Sequence, residues 1–203
     1  MEYQIPVTAF KLAKTEEEAV EFAGQIGFPV VLKIVSPDII HKSDAGGVML
    51  NLKNAAEVQN AYRKILENAK KYDPQAKIVG VVVQEMAPKS TEVIVGAVKD
   101  SQFGQTLMFG LGGIFVELLK DVAFRVAPVT REDALEMVTK VKAYPLLAGY
   151  RNTPSADLDA IVSVLLNTSR LVMDYPEIAE LDLNPVMAYE KGAKTVDARI
   201  ILE

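Results

Sequence analysis

The chain has 203 residues, half of them apolar and 24% charged, and 27 acidic against 22 basic side chains leave a formal charge of -5. A chain of this length buries about 70% of its unfolded surface in one large or two small domains, so it can fold without disulfides or structural metal. This composition excludes disorder, collagen and a disulfide-stapled scaffold.

Cysteine is absent, which removes disulfides, thiolate zinc sites, iron–sulfur clusters and cysteine nucleophiles. The longest uncharged apolar run, Leu107 to Val116, is half a membrane span and is interrupted by glycines. The N-terminus has no cationic lead into an apolar core, and the basic residues are scattered among acids. These features predict a cytoplasmic protein that binds neither membrane nor nucleic acid.

A first strand is expected near Ile5. Thr15 with Glu18 forms a capping box, and Ala19, Phe22, Ala23 and Ile26 follow at helical spacing until Gly27 and Pro29. Val30 to Ile34 reads as a buried strand. A polar loop, His41-Lys42-Ser43-Asp44-Ala45-Gly46-Gly47, leads into a partner strand, Val48 to Leu52. Asn54 with Glu57 opens a second helix with Val58, Ala61, Tyr62, Ile65, Leu66 and Ala69 on its apolar face, ending near Tyr72-Asp73-Pro74.

Five strand-like runs follow: Ile78 to Met86, Glu92 to Val98, Gln105 to Phe109, Ile114 to Leu118 and Ala123 to Val129. Helical spacing returns at Arg131 to Val141 and Asp157 to Met173. Two closing strands, Ile178 to Leu183 and Thr195 to Ile201, are joined through Asn184-Pro185-Val186 and a turn at Lys191-Gly192. Runs of this kind predict an α+β fold in two lobes, residues 1–86 and 87–203, with a hinge near Met86-Ala87-Pro88.

His41, the single histidine, has a lysine, hydroxyl and carboxylate beside it, a setting that suits a nucleophile or general base as well as a plain surface residue. No GxxxxGK[ST] is present, and GxGxxG fails at Phe115. Gly110, Gly112 and Gly113 read as a tight turn or a ligand-approach loop. Lys33, at the end of a buried strand, must meet an anion or snorkel to water. Glu85 and Glu92 flank the hinge. Asp182 and Asn184 lie on one face of a strand and Asp197 on the next, an oxygen-only set that suits Mg²⁺ or a solvated hairpin.

The segments GFPVVLKIVSPDIIHKSDAGGV, VVVQEMAPKSTEVIVGAVKDSQFGQTLMFGLGGIFVE, LLAGYRNTP and ELDLNPV followed by VDARI carry a resemblance. From Ile5 to its end the chain resembles the ATP-grasp β subunit of ADP-forming acetyl-CoA synthetases (acyl-CoA synthetases, NDP-forming), relatives of the succinyl-CoA synthetase β subunit. The resemblance implies an ATP-grasp fold, two α+β lobes with the nucleotide between them. It matches Lys33 to the lysine on the nucleotide phosphates, Glu85 and Met86 to the hinge at the adenine edge, and Glu92 to the ribose acid. Asn184 and Asp197 match the Mg²⁺ ligands, with Asp182 as a third, and Arg125 is a further phosphate candidate. His41 matches the transiently phosphorylated histidine, and Ala45-Gly46-Gly47 would give its loop freedom to travel.

The implied reaction is acyl-CoA + ADP + phosphate ⇌ carboxylic acid + CoA + ATP. It uses ATP or ADP with Mg²⁺ and a CoA-binding α subunit in an α2β2 assembly. Two other readings stand beside it: an ATP-grasp carboxylate–amine ligase, which leaves His41 without a role, and a non-catalytic nucleotide-binding regulatory module.

Overall fold

The computed structural model describes residues 2–113, 116, 118–151 and 154–203. The chain forms two compact units.

The first unit is Thr8–Met86. Its antiparallel sheet has the order β1-β4-β2-β3, from β1 (Phe10–Ala13), β2 (Val30–Val35), β3 (Val48–Leu52) and β4 (Gly80–Glu85). The strand expected near Ile5 is therefore displaced: Val7 makes only an isolated bridge, to Thr195. Helices α1 (Glu16–Ile26) and α2 (Ala55–Tyr72) cover one face.

Both helices start where side chains satisfy their first amides. Thr15 accepts the Glu18 N–H at 3.2 Å while Glu18 accepts the Lys14 N–H at 2.7 Å, and Asn54 accepts the Glu57 N–H at 3.0 Å. Gly27, with φ +97°, ends α1 in a conformation that favours glycine. Alternation along β2 sends Val30, Leu32 and Ile34 into the core with Val58, Ile65 and Ala69. Each fully buried Leu or Ile contributes roughly 1.5–3 kcal/mol. Val31, Lys33 and Val35 point to the opposite face, away from α1 and α2, which also carries exposed Phe10, Leu12 and Leu50.

The second unit comprises residues 87–203 together with residues 2–7. That N-terminal segment was expected in the first lobe. It groups here because Thr195 N–H donates to Pro6 O at 2.8 Å, Tyr3 Oη donates to Asp174 at 2.9 Å and Ile5 packs on this unit's core. The antiparallel sheet runs β10-β8-β5-β6-β7, with β9 on β8. Its strands are β5 (Thr91–Asp100), β6 (Gly104–Leu111), β7 (Val122–Val126), β8 (Ile178–Ala188), β9 (Ala193–Thr195) and β10 (Ala198–Leu202). Helices α3 (Arg131–Lys140), α4 (Tyr144–Leu147) and α5 (Leu158–Asp174) cover one face, burying Val93, Val95, Leu107, Phe109, Leu181 and Leu183.

Two expectations change here. The run Ile114 to Leu118 lies mostly outside the described residues, and Leu118 itself is in a turn. Asn184-Pro185-Val186 is not a connection, because β8 continues through it to Ala188. Asn184 and Pro185 together face Ile94 of β5, a bulge marked by the register shift between Val93 and Val95. The last strand is split in turn: β9 pairs with residues 186–188 and β10 with residues 178–183, leaving Val196 and Asp197 at the break. Among the described residues no helix is long and apolar enough to cross a membrane.

Candidate functional site

Lys33, His41, Glu85 and Met86 belong to the first unit, and Glu92, Asp182, Asn184 and Asp197 to the second. Lys33 is half-buried in the middle of the face away from α1 and α2, opposite Val48 and Val82. There its ammonium can meet an anion while its stem covers the sheet. Glu85 pairs with Val30, so its side chain belongs to the other face. Its carboxylate accepts the Ala9 N–H at 3.2 Å and its own N–H donates to Ala9 O at 2.8 Å. Met86 N–H donates to Pro29 O at 3.3 Å.

His41 is exposed in the loop between β2 and β3. The end of that loop is not loose. Ala45 is buried, Gly46 O accepts from Asn68 Nδ2 at 3.0 Å, and a side chain on Gly47 would run into Ile34. Ala45-Gly46-Gly47 is therefore packed in this structure, and travel of His41 that involves these residues has to release those contacts. The glycines are required by close approach and, at Gly46, by φ +59°.

In the second unit Glu92, Ile94, Gly96 and Val98 alternate onto the face of β5 away from the helices, and Glu180, Asp182 and Asn184 do the same on β8. Gly112 N–H donates to Glu92 O at 2.8 Å, and a Cβ at Gly112 would stand 3.0 Å from Glu92 Cβ. That glycine is thus a close-approach residue beside the candidate ribose acid. A cleft of about 330 Å³ opens on this face. Ile94, Val98, Met108 and Phe124 form its apolar floor, with Glu180, Asp182 and Asn184 at one end. Sequence reading missed that floor, because on each strand its residues are interleaved with core residues of the same character.

The break between β9 and β10 builds the acidic end. Asn184 N–H donates to Asp197 O at 3.1 Å and Val196 N–H to Pro185 O at 2.9 Å, so Asp197 is held beside the bulged Asn184. Burial pushes the Asp182 carboxyl up, and Glu180 and Asp197 add to this against a hydrogen bond from Asn184 and the charge of Arg199. Glu180 and Asp197 thus act on Asp182 from one side of the charge balance and Arg199, its cross-strand partner, from the other. Among the described residues no three His, Cys, Asp or Glu cluster as a metal site. The candidate donors are two carboxylates and one amide, a set that would fit Mg²⁺ because that ion keeps several waters and bridges to phosphate.

Arg125 is not on this face. It pairs with core-facing Leu107 and is held by Glu136 and, at 3.6 Å, by Asp133 of α3. Its candidacy as a phosphate contact is withdrawn for that reason. Of the LLAGYRNTP segment, Asn152 and Thr153 lie outside the described residues.

The family model described as "ATP-grasp domain" matches residues 1–202. The β subunit of acetate–CoA ligase [ADP-forming] I of Pyrococcus furiosus is 56% identical over 98% of this chain and 86% of that protein. The acetyl-coenzyme A synthetase 1 of Ca. Korarchaeum cryptofilum, solved with coenzyme A, Ca-AMPCP and HgCl⁺, superposes with TM-score 0.98 at 57% identity, covering 100% of this chain and 88% of that one. The same enzyme solved with coenzyme A and Mg-AMPPCP, its phosphohistidine segment pointing towards the nucleotide binding site, superposes with TM-score 0.88 at 53% identity over 100% of this chain and 87% of that one.

Proposed function

The chain belongs to the ATP-grasp family, alongside the β subunits of ADP-forming acetate–CoA ligases, and on that premise we propose that it is the nucleotide-binding, phosphohistidine-carrying subunit of such an enzyme. The reaction is acyl-CoA + ADP + phosphate ⇌ carboxylic acid + CoA + ATP. The two units, divided between Val7 and Thr8 and between Met86 and Ala87, correspond to the two lobes of the ATP-grasp fold. A CoA-binding α subunit completes the enzyme as an α2β2 assembly in the cytoplasm.

Each residue has one role in this reading. In the direction of ATP use, an imidazole nitrogen of His41 attacks the γ-phosphorus, the N–P bond forms, the bond to the β-phosphate oxygen breaks, ADP leaves and the ring gives up its N–H proton. In the other direction phosphohistidine passes its phosphoryl group to ADP. Lys33 neutralises charge on the phosphates, and transfer of this kind depends mainly on positioning and charge neutralisation. Glu92 accepts hydrogen bonds from ribose hydroxyls, and the backbone at Glu85 and Met86 meets the adenine edge. Asn184, Asp197 and Asp182 would hold Mg²⁺, which when bound would offset the charge of the phosphate oxygens.

The observation that carries the metal assignment is the placement of Asp197 beside the bulged Asn184, whose N–H donates to Asp197 O at 3.1 Å, with Asp182 two residues away on β8. Exposure of His41 in a loop with anchored ends supports the carrier role. Incubation with γ-labelled ATP and Mg²⁺ in the presence of the partner subunit tests it. Acid-labile, base-stable label on this chain, lost in His41→Ala, is expected. Label that persists in His41→Ala would refute the assignment of the carrier.

A further inference from the structure

The His41 loop is pinned on both sides of a short span. On the N-terminal side Asp38 Oδ2 accepts the Lys77 N–H at 2.7 Å, and Ile39 is 1% exposed in the core of its unit. On the C-terminal side Asn68 Nδ2 donates to Gly46 O at 3.0 Å, Ala45 is 5% exposed and Gly47 sits against Ile34. Ile40, His41, Ser43 and Asp44, in the span between, are exposed. A chain advances at most about 3.6 Å per residue, so with these anchors in place the His41 Cα stays within about 7 Å of the Ile39 Cα however the span moves.

Asn68 is a poor helix former inside α2. Its amide occupies the space of a Gly46 side chain, 2.7 Å from where a Cβ would stand. Helix propensity and space-filling alone give no reason for an amide there, whereas clamping the loop does.

We propose that Asn68 and Asp38 are positioning residues that latch the His41 loop at both ends, confining the imidazole to one station until the latch opens. The proposal rests on the reading of His41 as phosphoryl carrier. A carrier serves two half-reactions, phosphorylation by Mg-ATP and discharge to carboxylic acid and CoA on the partner subunit. The half-reaction at the latched station is indifferent to small changes in latch strength. The other runs only from the opened fraction, so its rate follows the latch directly.

Asn68→Asp keeps the shape, removes the donor and sets a carboxylate against Gly46 O. Loss of one hydrogen bond raises the opened fraction about five-fold. In the complex with the partner subunit, one half-reaction is expected to accelerate about five-fold while the other changes by less than about two-fold, with KM for ATP unchanged. Hydrogen exchange at the Ala45, Gly46 and Gly47 amides is expected to rise by a similar factor. Asp38→Ala, opening the loop from its other end, is expected to accelerate the same half-reaction. A merely structural role would slow both half-reactions together, and that result, or unchanged amide exchange in both variants, overturns the latch. If wild-type His41 takes no label, the carrier reading fails and the proposal falls with it. The exchange measurement separates that failure from failure of the latch itself, because it needs no phosphorylation.

Discussion

Replacing Asp182 by Asn should make the resting protein more stable and the working protein weaker. The carboxyl is raised by burial, with Glu180 and Asp197 adding to the shift against the Asn184 hydrogen bond and Arg199. An acid whose folded value lies above its unfolded value of about 3.9 costs no stability below that pH, and its cost grows as pH rises through the folded value. Asn keeps the shape and removes the charge. Because Asp182 is only half-buried, water screens the effect towards the low end of the usual gain from relieving a strained functional charge, about 0.5–1 kcal/mol. That corresponds to roughly 1–4 °C in Tm for a chain of this size. Calorimetric melts of Asp182→Asn and wild type are expected to differ by this amount near neutral pH and to converge below about pH 3.9. Saturating Mg-ATP should reverse the order, since a ten-fold loss of affinity removes about 1.4 kcal/mol of ligand stabilisation. A variant less stable than wild type at neutral pH without Mg²⁺, or equal shifts with Mg-ATP, would refute the reasoning.

Asp157 caps α5 through the Ala160 N–H at 2.9 Å and also accepts the Gly192 N–H at 2.8 Å from the turn between β8 and β9. Asp157→Ala should cost roughly 2–3 kcal/mol, read as a fall of roughly 4–12 °C in Tm. The Gly192 and Ala160 amides hold this carboxyl below its ordinary value. Its contribution is therefore fully present above about pH 3.9 and disappears as pH falls through the depressed folded value, so the two melts should converge in acid. Arg125→Ala should lose no more than about 1 kcal/mol and leave Mg-ATP affinity unchanged in a calorimetric titration. A ten-fold loss of affinity would return Arg125 to the phosphates.

Local signals carried most of the first unit. Thr15 with Glu18 and Asn54 with Glu57 are caps in the sequence and in the structure, because a capping box is satisfied within four residues and needs no tertiary partner. Lys33 was legible as a cation interrupting an apolar strand, and its face follows from period-two alternation. What was not legible depends on partners distant in the chain. Asn184-Pro185 looks like a turn, yet it is a bulge inside β8 because Ile94 and Asp197 pair around it. Ala45-Gly46-Gly47 looks mobile, yet in this structure it is packed against Asn68 and Ile34. Arg125 could have faced either side of β7, and only its register against Leu107 turns it towards α3. Residues 2–7 join the second unit through Thr195 and Asp174, which are far away in sequence.

The central claim is that His41 carries the phosphoryl group between the partner subunit and the nucleotide. Chase of the isolated, labelled complex with ADP and Mg²⁺ tests it most directly. The account predicts that label leaves His41 and appears as the γ-phosphate of ATP at least as fast as the complex turns over. Label that stays on the protein, or ATP formation from acyl-CoA, ADP and phosphate that continues in His41→Ala, would contradict it.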